Sequence, residues 1–220
     1  MSDSALIFDL DGTLVDSVFE HVTAWHLAFL NAGIDVPAFE LHKRIGMTGE
    51  LLIDAIAEAH GIAISPTSRE AISAAHAERY RKVIHRVPAL PGAKMLWSVL
   101  RARGVPWAIA TSAEQRDADV LLQTLELPEH AVVVTQGASR ESKPSPRPFE
   151  AAAKKLHVQL TDAMIVGDSV WDILASRRAG AFGVGVLTGG YGREELVAAG
   201  AYRVFNDVGE LARRLDELGL

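Results

Sequence analysis

The sequence predicts an α/β fold, in which an all-helical cap domain is inserted into a doubly wound, mostly parallel (Rossmann-like) sheet core. Three observations predict it. Short apolar runs of strand length recur along the chain and are continuous rather than alternating, as expected for strands covered on both faces. Helix-like segments separate the later runs, which indicates parallel βαβ units. The long stretch between the first two runs carries almost only helical signals.

The predicted strands are those apolar runs: Ala5–Leu10, Pro106–Thr111, Ala131–Thr135, Ala163–Gly167, Phe182–Leu187 and Tyr202–Phe205. The predicted core helices are Ala93–Arg103, Glu114–Leu125, Pro146–Leu156, Val170–Ala179 and Val208–Leu218. Within the insert, apolar residues at helical spacing predict helices at Ser17–Asn31, Glu50–His60 and Ser68–His85. We therefore expect a core domain at residues 1–16 and 88–220 and a helical cap domain at residues 17–87.

Composition excludes several classes of protein. Of the 220 residues, 22 are Lys or Arg and 28 are Asp or Glu, so the net charge is −6 and a general nucleic-acid binder is not expected. The absence of Cys excludes disulfides, zinc–thiolate sites, iron–sulfur clusters and a cysteine nucleophile. No apolar run approaches a membrane span, and the first residues lack the basic start of a signal peptide. We therefore expect a cytoplasmic protein that binds neither nucleic acid nor a membrane.

Two pairs of carboxylates follow predicted strands. Asp9 and Asp11 lie at the end of the first strand, and Asp168 and Asp172 follow the fourth, one helical turn apart. Ligands of an open α/β sheet bind at the carboxyl ends of its strands, so the four groups should share one crevice. Four carboxylates would repel one another unless a divalent cation lay among them. Oxygen ligands of this kind suit Mg²⁺, which commonly meets a phosphate.

Donors for a phosphate follow other predicted strands. Thr111 and Ser112 end the second strand and offer hydroxyl and backbone N–H groups near a helix start. Lys143 precedes the helix before the fourth strand and supplies a positive charge for phosphate and for the crowded carboxylates. Taken singly, Thr111 is a strand-end helix cap and Lys143 a solvated loop residue; their joint placement at strand ends favours a phosphate site.

Four motifs in this sequence resemble, in type and in order, those of the haloacid dehalogenase superfamily of phosphohydrolases. The resemblance covers essentially the whole chain. The motifs are Asp9-x-Asp11-Gly12-Thr13, then Thr111, then Lys143, then Gly167-Asp168-Ser169-x-x-Asp172. The helical insert after the first motif resembles the cap of the branch that holds phosphoglycolate phosphatase and β-phosphoglucomutase. The resemblance implies a hydrolase of phosphoric monoesters that uses Mg²⁺.

The resemblance also implies residue roles. Asp9 would be the nucleophile that forms an aspartyl-phosphate, and Asp11 the acid and base, with its backbone carbonyl on the metal. Asp9, Asp11, Asp168 and Asp172 would make up the metal site, Asp172 by holding a metal-bound water or the lysine. Thr111, Ser112 and Lys143 would bind the phosphoryl group. To donate a proton, Asp11 should have a raised pKa, which burial and neighbouring carboxylates would favour.

Four functions remain open at this stage. The favoured one is a phosphatase for a small phosphorylated metabolite, such as a sugar phosphate or phosphoglycolate. A phosphomutase like β-phosphoglucomutase is the alternative, but Gly49 stands where that enzyme carries an Arg, and Ala113-Glu114-Gln115 replaces a Ser-Lys-Asn stretch. A haloacid dehalogenase would have no use for Asp11, because halide leaves without a proton. A non-catalytic phosphoacceptor protein would have no need of a cap.

Cap residues are expected to choose the substrate: His21, Arg44, Gly46 and Thr48. We interpret Trp25 as packing of the first cap helix, and the cluster Arg79, Arg81, Lys82 and Arg86 as a solvated helix face. The cap should close over the core by a hinge motion at Leu14–Ser17 and Arg86–Pro91, where the chain crosses between the domains.

Overall fold

The computed structural model describes residues 4–136 and 143–220. Its sheet has six parallel strands in the order β3-β2-β1-β4-β5-β6. The strands are β1 (Ala5–Phe8), β2 (Trp107–Ala110), β3 (Val132–Val134), β4 (Ala163–Gly167), β5 (Phe182–Val186) and β6 (Arg203–Phe205). The predicted doubly wound α/β fold is confirmed, and each predicted strand contains an observed one.

Within the described residues, four helices lie in the insert and six in the core. The insert contains α1 (Val18–Asn31), α2 (Ala38–His42), α3 (Gly49–Ala59) and α4 (Pro66–Val83). The core contains α5 (Ala93–Arg103), α6 (Gln115–Leu122), α7 (Arg147–Leu156), α8 (Val170–Arg178), α9 (Arg193–Ala199) and α10 (Val208–Arg213). Short 3₁₀ turns follow α4, α6 and α10 and flank β4 and β5, at Ile84–Arg86, Gln123–Leu125, Leu215–Leu218, Leu160–Asp162 and Leu187–Gly189. Among the described residues, no helix combines the length and the apolarity that a membrane crossing needs.

Apolar layers cover both faces of the sheet, which explains why the strand sequences are continuously apolar. In β1, Leu6 and Phe8 pack into one cluster, while Ala5 and Ile7 pack into the cluster on the opposite face. All four side chains are fully buried. Since side chains alternate along a strand, a strand covered on both sides must be apolar at every position.

The insert has an apolar cluster of its own. Trp25 and Phe29 of α1 pack with Ile53 and Ile56 of α3 and with Ile72 of α4. A separate core is what an independent folding unit requires. It supports the division into a core and a cap at residues 17–87, which stays a prediction.

The two chain crossings between core and insert lie side by side. The amide of Asp16 donates to the carbonyl of Pro88 at 3.0 Å, and the amide of Leu90 donates to the carbonyl of Leu14 at 2.9 Å. Val15 and Ala89 form an isolated antiparallel bridge between these segments. The insert is therefore joined to the core through one narrow, hydrogen-bonded neck.

Candidate active site

The sheet order brings the predicted site residues to one edge. Strand β1 lies between β2 and β4, and the three strands run parallel. Asp9 follows β1, Thr111 follows β2 and Asp168 follows β4, so all three leave the sheet at its carboxyl end. This is the edge at which open α/β sheets bind ligands.

Three carboxylates converge at this edge. One oxygen from each of Asp9, Asp168 and Asp172 lies within 4.8 Å of the others, and all three side chains are buried. The hydroxyl of Thr13 donates to Oδ1 of Asp168 at 3.0 Å. The carboxylates thus form a compact group of oxygens with little access to water.

Lys143 is the cation inside this group. Its side chain is 1% exposed, its Nζ contacts Oδ1 of Asp9, and it lies 2.7 Å from Oδ1 of Asp172. Burial alone would lower the pKa of Lys143, but the charges of Asp172 and Asp9 raise it above its ordinary value. The lysine therefore stays protonated and holds the nucleophile candidate in place.

The negative charge of the group exceeds what Lys143 neutralises. Burial, together with the charges of Asp172 and Asp11, raises the pKa of Asp9 to about 7 in spite of Lys143. Burial, together with the charges of Asp172 and Asp9, raises the pKa of Asp168. Three carboxylates against one ammonium leave an excess that a divalent cation would balance. A hard, oxygen-only donor set fits Mg²⁺.

Two glycines, Gly12 and Gly189, lie against the carboxylate of Asp168. A Cβ at Gly189 would lie 1.7 Å from its Oδ2, and a Cβ at Gly12, whose φ is +75°, would lie 2.5 Å from the same atom. Any side chain at either position would displace the carboxylate. The two glycines therefore leave the room that the Asp168 carboxylate itself occupies.

The N-terminus of α8 positions Asp172. Ser169 is the N-cap residue, and both its backbone N–H and its hydroxyl donate to Oδ2 of Asp172, at 3.2 and 2.6 Å. This reciprocal capping box satisfies helix N–H groups that would otherwise lack partners. It leaves the other oxygen of Asp172 to face Lys143.

Asp11 faces the cap rather than the buried group. Its Oδ1 accepts from the Ser17 hydroxyl at 2.6 Å and lies 3.4 Å from Nε2 of His21, and its Oδ2 accepts from Thr111 at 3.4 Å. Burial would raise the pKa of Asp11, but the hydrogen bonds and charges of His21, Ser17 and Lys143 lower it. This corrects the expectation of a raised pKa, because the sequence pattern did not indicate that His21 and Ser17 would both bond to this carboxyl group.

A cavity of about 1070 Å³ opens above these residues, between the sheet edge and the insert. Asp9, Asp11 and Ser112 line its floor, and His21, Gly46 and Thr48 line its cap side. Thr111 is buried beneath them, where its hydroxyl accepts from the amide of Ala113 at 3.0 Å.

Arg44, which was predicted to help choose the substrate, is not among the described residues that line the cavity. Its guanidinium turns back along its own segment and donates to the carbonyl of Glu40 at 2.8 Å. Gly46, two residues later in the same loop, does line the cavity.

Two cavity residues that the sequence analysis missed stand on α4. His76 stacks on Trp25 with ring centroids 3.9 Å apart, and Tyr80 stacks on His21 at 3.8 Å. Nδ1 of His21 and Nε2 of His76 lie 3.1 Å apart, within hydrogen-bond distance. Burial, helped by the charges of His21 and Arg81, lowers the pKa of His76 to about 2, so its ring is neutral. The signal was present in the four-residue spacing of both pairs along their helices.

A second set of contacts joins insert and core beside the metal-site candidate. Tyr191 Oη and Trp171 Nε1 both donate to the carbonyl of Lys43, at 2.8 and 3.1 Å. Nε2 of His42 donates to the carbonyl of Gly189 at 2.7 Å. These five residues, which we call the latch, hold the loop after α2 against the core.

Comparisons with known proteins agree with this geometry. A family model described as haloacid dehalogenase-like hydrolase matches residues 4–180. A phosphoglycolate phosphatase of Rhodospirillum rubrum is 31% identical over 218 residues, which cover 94% of this chain and 88% of that protein. A crystal structure of a hydrolase from Pseudomonas syringae is 40% identical, covers 97% of this chain and 98% of that chain, and superposes with a TM-score of 0.93.

A β-phosphoglucomutase structure from Clostridium difficile is also similar, with a TM-score of 0.82 over 98% of this chain and 95% of that chain. Its identity is 24%, so this likeness concerns the fold alone.

Proposed function

The chain belongs to the haloacid dehalogenase-like hydrolases, and we propose that within this family it is a Mg²⁺-dependent phosphatase for a small phosphorylated metabolite, such as a sugar phosphate or phosphoglycolate. It is a hydrolase of phosphoric monoester bonds. The single observation that carries the proposal is Asp9, a buried carboxylate held by Lys143 on the floor of the cavity.

Asp9 is the proposed nucleophile. One of its carboxylate oxygens attacks phosphorus, an O–P bond forms, and the bond from phosphorus to the alcohol oxygen breaks. Water then attacks the aspartyl-phosphate and releases phosphate and free Asp9. Dividing one difficult displacement into two is the advantage of a covalent intermediate. Lys143, together with Thr111 and Ser112 at the end of β2, balances and orients the charged phosphoryl oxygens.

Asp11 is the proposed acid and base, with His21 as its partner 3.4 Å away. In the substrate-free pocket Asp11 is ionised, because its pKa is lowered. A bound phosphoryl dianion adds like charge beside it and raises that pKa. Asp11 can then take up a proton, donate it to the departing alcohol oxygen, and accept one from the attacking water.

Asp9 and Asp168 would hold the metal ion, Asp172 would hold a metal-bound water or Lys143, and the backbone carbonyl of Asp11 would complete the protein's part. A bound Mg²⁺ supplies positive charge to the phosphoryl oxygens and balances the carboxylates.

Hydrolysis is favoured over transfer by two features of the cavity. A Cβ at Gly49 would lie 3.0 Å from the Trp25 ring, so the indole occupies the space beside this position. Glu114 lines the cavity in place of a cation and is paired with Arg81. Neither Gly49 nor Glu114 offers a free positive charge for a second phosphate group. Phosphoryl transfer through a bisphosphate would require such a charge.

We expect Asp9→Asn to reduce kcat by several orders of magnitude, because the amide keeps the shape of the side chain but lacks the anionic nucleophile. The measurement is phosphate release from a generic phosphomonoester with Mg²⁺. Asp16→Asn is the matched control, since Asp16 is exposed and does not line the cavity. Near-normal turnover by Asp9→Asn would refute the mechanism.

We also expect Mg²⁺ to raise the thermal unfolding midpoint of the wild-type protein, because a ligand of the folded state stabilises it. Asp168→Asn should abolish this effect and, in chelator, be at least as stable as wild type, because it removes one crowded buried charge. Calorimetry with Mg²⁺ and with chelator checks both. A variant that keeps the full Mg²⁺ effect would show that Asp168 is not a ligand.

A further inference from the structure

The cavity continues well beyond the proposed site of phosphoryl transfer. Its volume of about 1070 Å³ is just above the ~300–1,000 Å³ range of ligand pockets. The part remote from Asp9 is bounded by the start of α3, the middle of α4 and the start of α6. Under the proposed function, this part receives the leaving group.

Charged side chains in this remote part are mostly acidic. Glu50, Glu114 and Asp117 line it, and among the described lining residues the arginines and lysines are Arg81 and Arg178. Arg178 is exposed and donates to the carbonyl of Pro144 at 3.1 Å. Arg81 is therefore the cation best placed to meet a leaving group.

Arg81 is already engaged by two carboxylates across the junction of α4 and α6. Its Nε donates to both oxygens of Asp117, at 2.9 and 3.2 Å, and its Nη2 donates to Glu114 at 2.8 Å. Asp117 is 14% exposed, so that pair is partly shielded from water. The guanidinium and its two carboxylate partners carry a local net charge of −1, and its Nε–H and one N–H of Nη2 already donate to these carboxylates.

Apart from Glu50 and Arg178, the other described side chains of the remote wall carry no charge. Trp25 lies against Gly49 and is stacked on the uncharged ring of His76. Thr48 and Ser73 add hydroxyl groups. These groups suit the apolar faces and hydroxyls of an uncharged alcohol, and none of them neutralises a negative charge.

We propose that Asp117 and Glu114 act as a charge filter: by binding Arg81 they restrict the enzyme to phosphomonoesters whose leaving alcohol carries no second negative charge. The inference rests on the proposed function and narrows its substrate class. A carboxylate-bearing leaving group such as glycolate would meet Glu114 and Asp117, and among the described lining residues the cation best placed to meet it, Arg81, is already paired with both. Bringing like charges together in a partly desolvated site is unfavourable. Asp117 and Glu114 are thus selectivity residues that act through Arg81.

Two substrate pairs that differ in one carboxylate test the filter. They are 2-hydroxyethyl phosphate against 2-phosphoglycolate, and glucose 6-phosphate against 6-phosphogluconate. For wild type we expect kcat/KM to favour the neutral member by about tenfold or more in each pair for which turnover is measurable. The ratio within a pair cancels changes that affect both substrates, such as a loosened cap.

Removing the two charges should release Arg81. The double variant combines Glu114→Gln with Asp117→Asn. We expect it to raise kcat/KM for the anionic substrate, so that the ratio of kcat/KM for the neutral substrate to that for the anionic one falls about tenfold in each measurable pair. Adding Arg81→Gln should restore the ratio to at least its wild-type value, because the released cation is then gone. Arg81→Gln alone breaks the same contacts without supplying a cation and should not lower the ratio, which controls for structural loosening.

The outcomes separate the filter from the reaction itself. A wild type that prefers the anionic members, or a folded double variant whose ratio stays within twofold of wild type, overturns the filter and leaves the phosphatase proposal standing. If the ratio falls in the double variant and stays low when Arg81→Gln is added, the charge filter is also overturned. Turnover of none of the four esters, with Mg²⁺ present, refutes the proposed function and the filter with it.

Discussion

Two histidines in the cavity wall show how neighbouring groups fix charge. His21 lies between the Asp11 carboxyl and His76, and its hydrogen bond and charge lower the pKa of Asp11 against the effect of burial. His76 is mostly enclosed by Trp25, Tyr80 and His21, so burial lowers its pKa to about 2. Its enclosure, helped by the charges of His21 and Arg81, keeps the ring of His76 neutral.

The neutral His76 makes stability depend on pH. The folded protein does not protonate this ring until about pH 2, whereas an unfolded chain protonates it near 6.5. Between these values the unfolded state binds more protons, so the free energy of unfolding falls as pH drops below about 6.5, by up to about 1.4 kcal/mol per pH unit. We expect His76→Gln to remove this contribution, with denaturant titrations at pH 7 and pH 5 as the measurement.

His85→Gln is the control for that experiment, because His85 is exposed and does not line the cavity. It should leave the difference between pH 7 and pH 5 as in wild type. If His76→Gln loses as much stability as wild type over this range, the ring takes up its proton in the folded state and the assignment of a neutral His76 is wrong.

At the residue scale, strand-end position was an effective predictor. Asp9, Asp168 and Thr111 each follow an apolar run, and parallel strands must end at one edge, so their convergence followed from topology. His76 and Arg81 could not be found this way. They lie on α4 far along the chain from their partners His21 and Asp117, and helix spacing does not show which other helix a face will meet.

At the scale of elements, one helix terminus supports the site. The capping box of α8 holds Asp172 through Ser169, so the stability of the helix end and the position of a site residue depend on the same hydroxyl group. Helix α4 begins with a comparable cap, in which Ser65 accepts from the amide of Ser68 at 3.1 Å, but this cap does not line the cavity.

These two serines form a matched pair for experiment. We expect Ser169→Ala and Ser65→Ala each to lower the free energy of unfolding by about 1 kcal/mol, since each loses an N-cap. Only Ser169→Ala should also lower kcat, because Asp172 then loses the hydroxyl, one of the two donors that orient it toward Lys143. Denaturation and steady-state kinetics on both variants check this. Equal kinetics in the two variants would mean that the cap of α8 contributes to stability alone.

The elements themselves were largely predictable from local patterns. Strand β4 and helix α5 have the bounds that were predicted, because each is a complete apolar or amphipathic run with clear flanks. Helices α2 and α9 were missed: they have five and seven residues, too few for a periodic pattern to emerge. Helix α6 ends at Leu122 rather than Leu125 because its last turn tightens into a 3₁₀ turn.

At the scale of the whole molecule, contacts among the described residues hold the insert to the core at the neck, at the latch and at the pairs of Arg81 with Asp117 and Glu114. The neck at Leu14–Ser17 and Arg86–Pro91 is where we propose that the chain bends, and the latch holds the loop after α2 to the core beside Asp168. Ser17 joins the neck to the site, because its hydroxyl donates to Asp11. Closure about this neck would change the surroundings of the proposed acid and base together with access of water to the cavity.

We expect Tyr191→Phe to shift the molecule toward an open form, because it removes one hydrogen bond of the latch, a contact typically worth about 1 kcal/mol, and keeps the ring. Solution scattering should show a larger radius of gyration without ligand, which a phosphate analogue reverses. Tyr202→Phe is the control, because Tyr202 is an exposed residue of the core domain. Scattering curves that coincide for all three proteins, with and without analogue, would contradict the hinge.

The strand that precedes Asp9 lies in the middle of the sheet, and this order affects how the protein folds during synthesis. Strand β1 pairs with β2 and β4, whose residues follow about 100 and 160 positions later in the chain. Because a ribosome adds ~5–20 residues per second, β1 stays without its partner strands for many seconds during translation. The intervening residues include the insert, whose separate apolar cluster can condense in that interval. Asp9, synthesised before the other members of the site, gains Lys143 and Asp168 as neighbours only when the fourth strand docks.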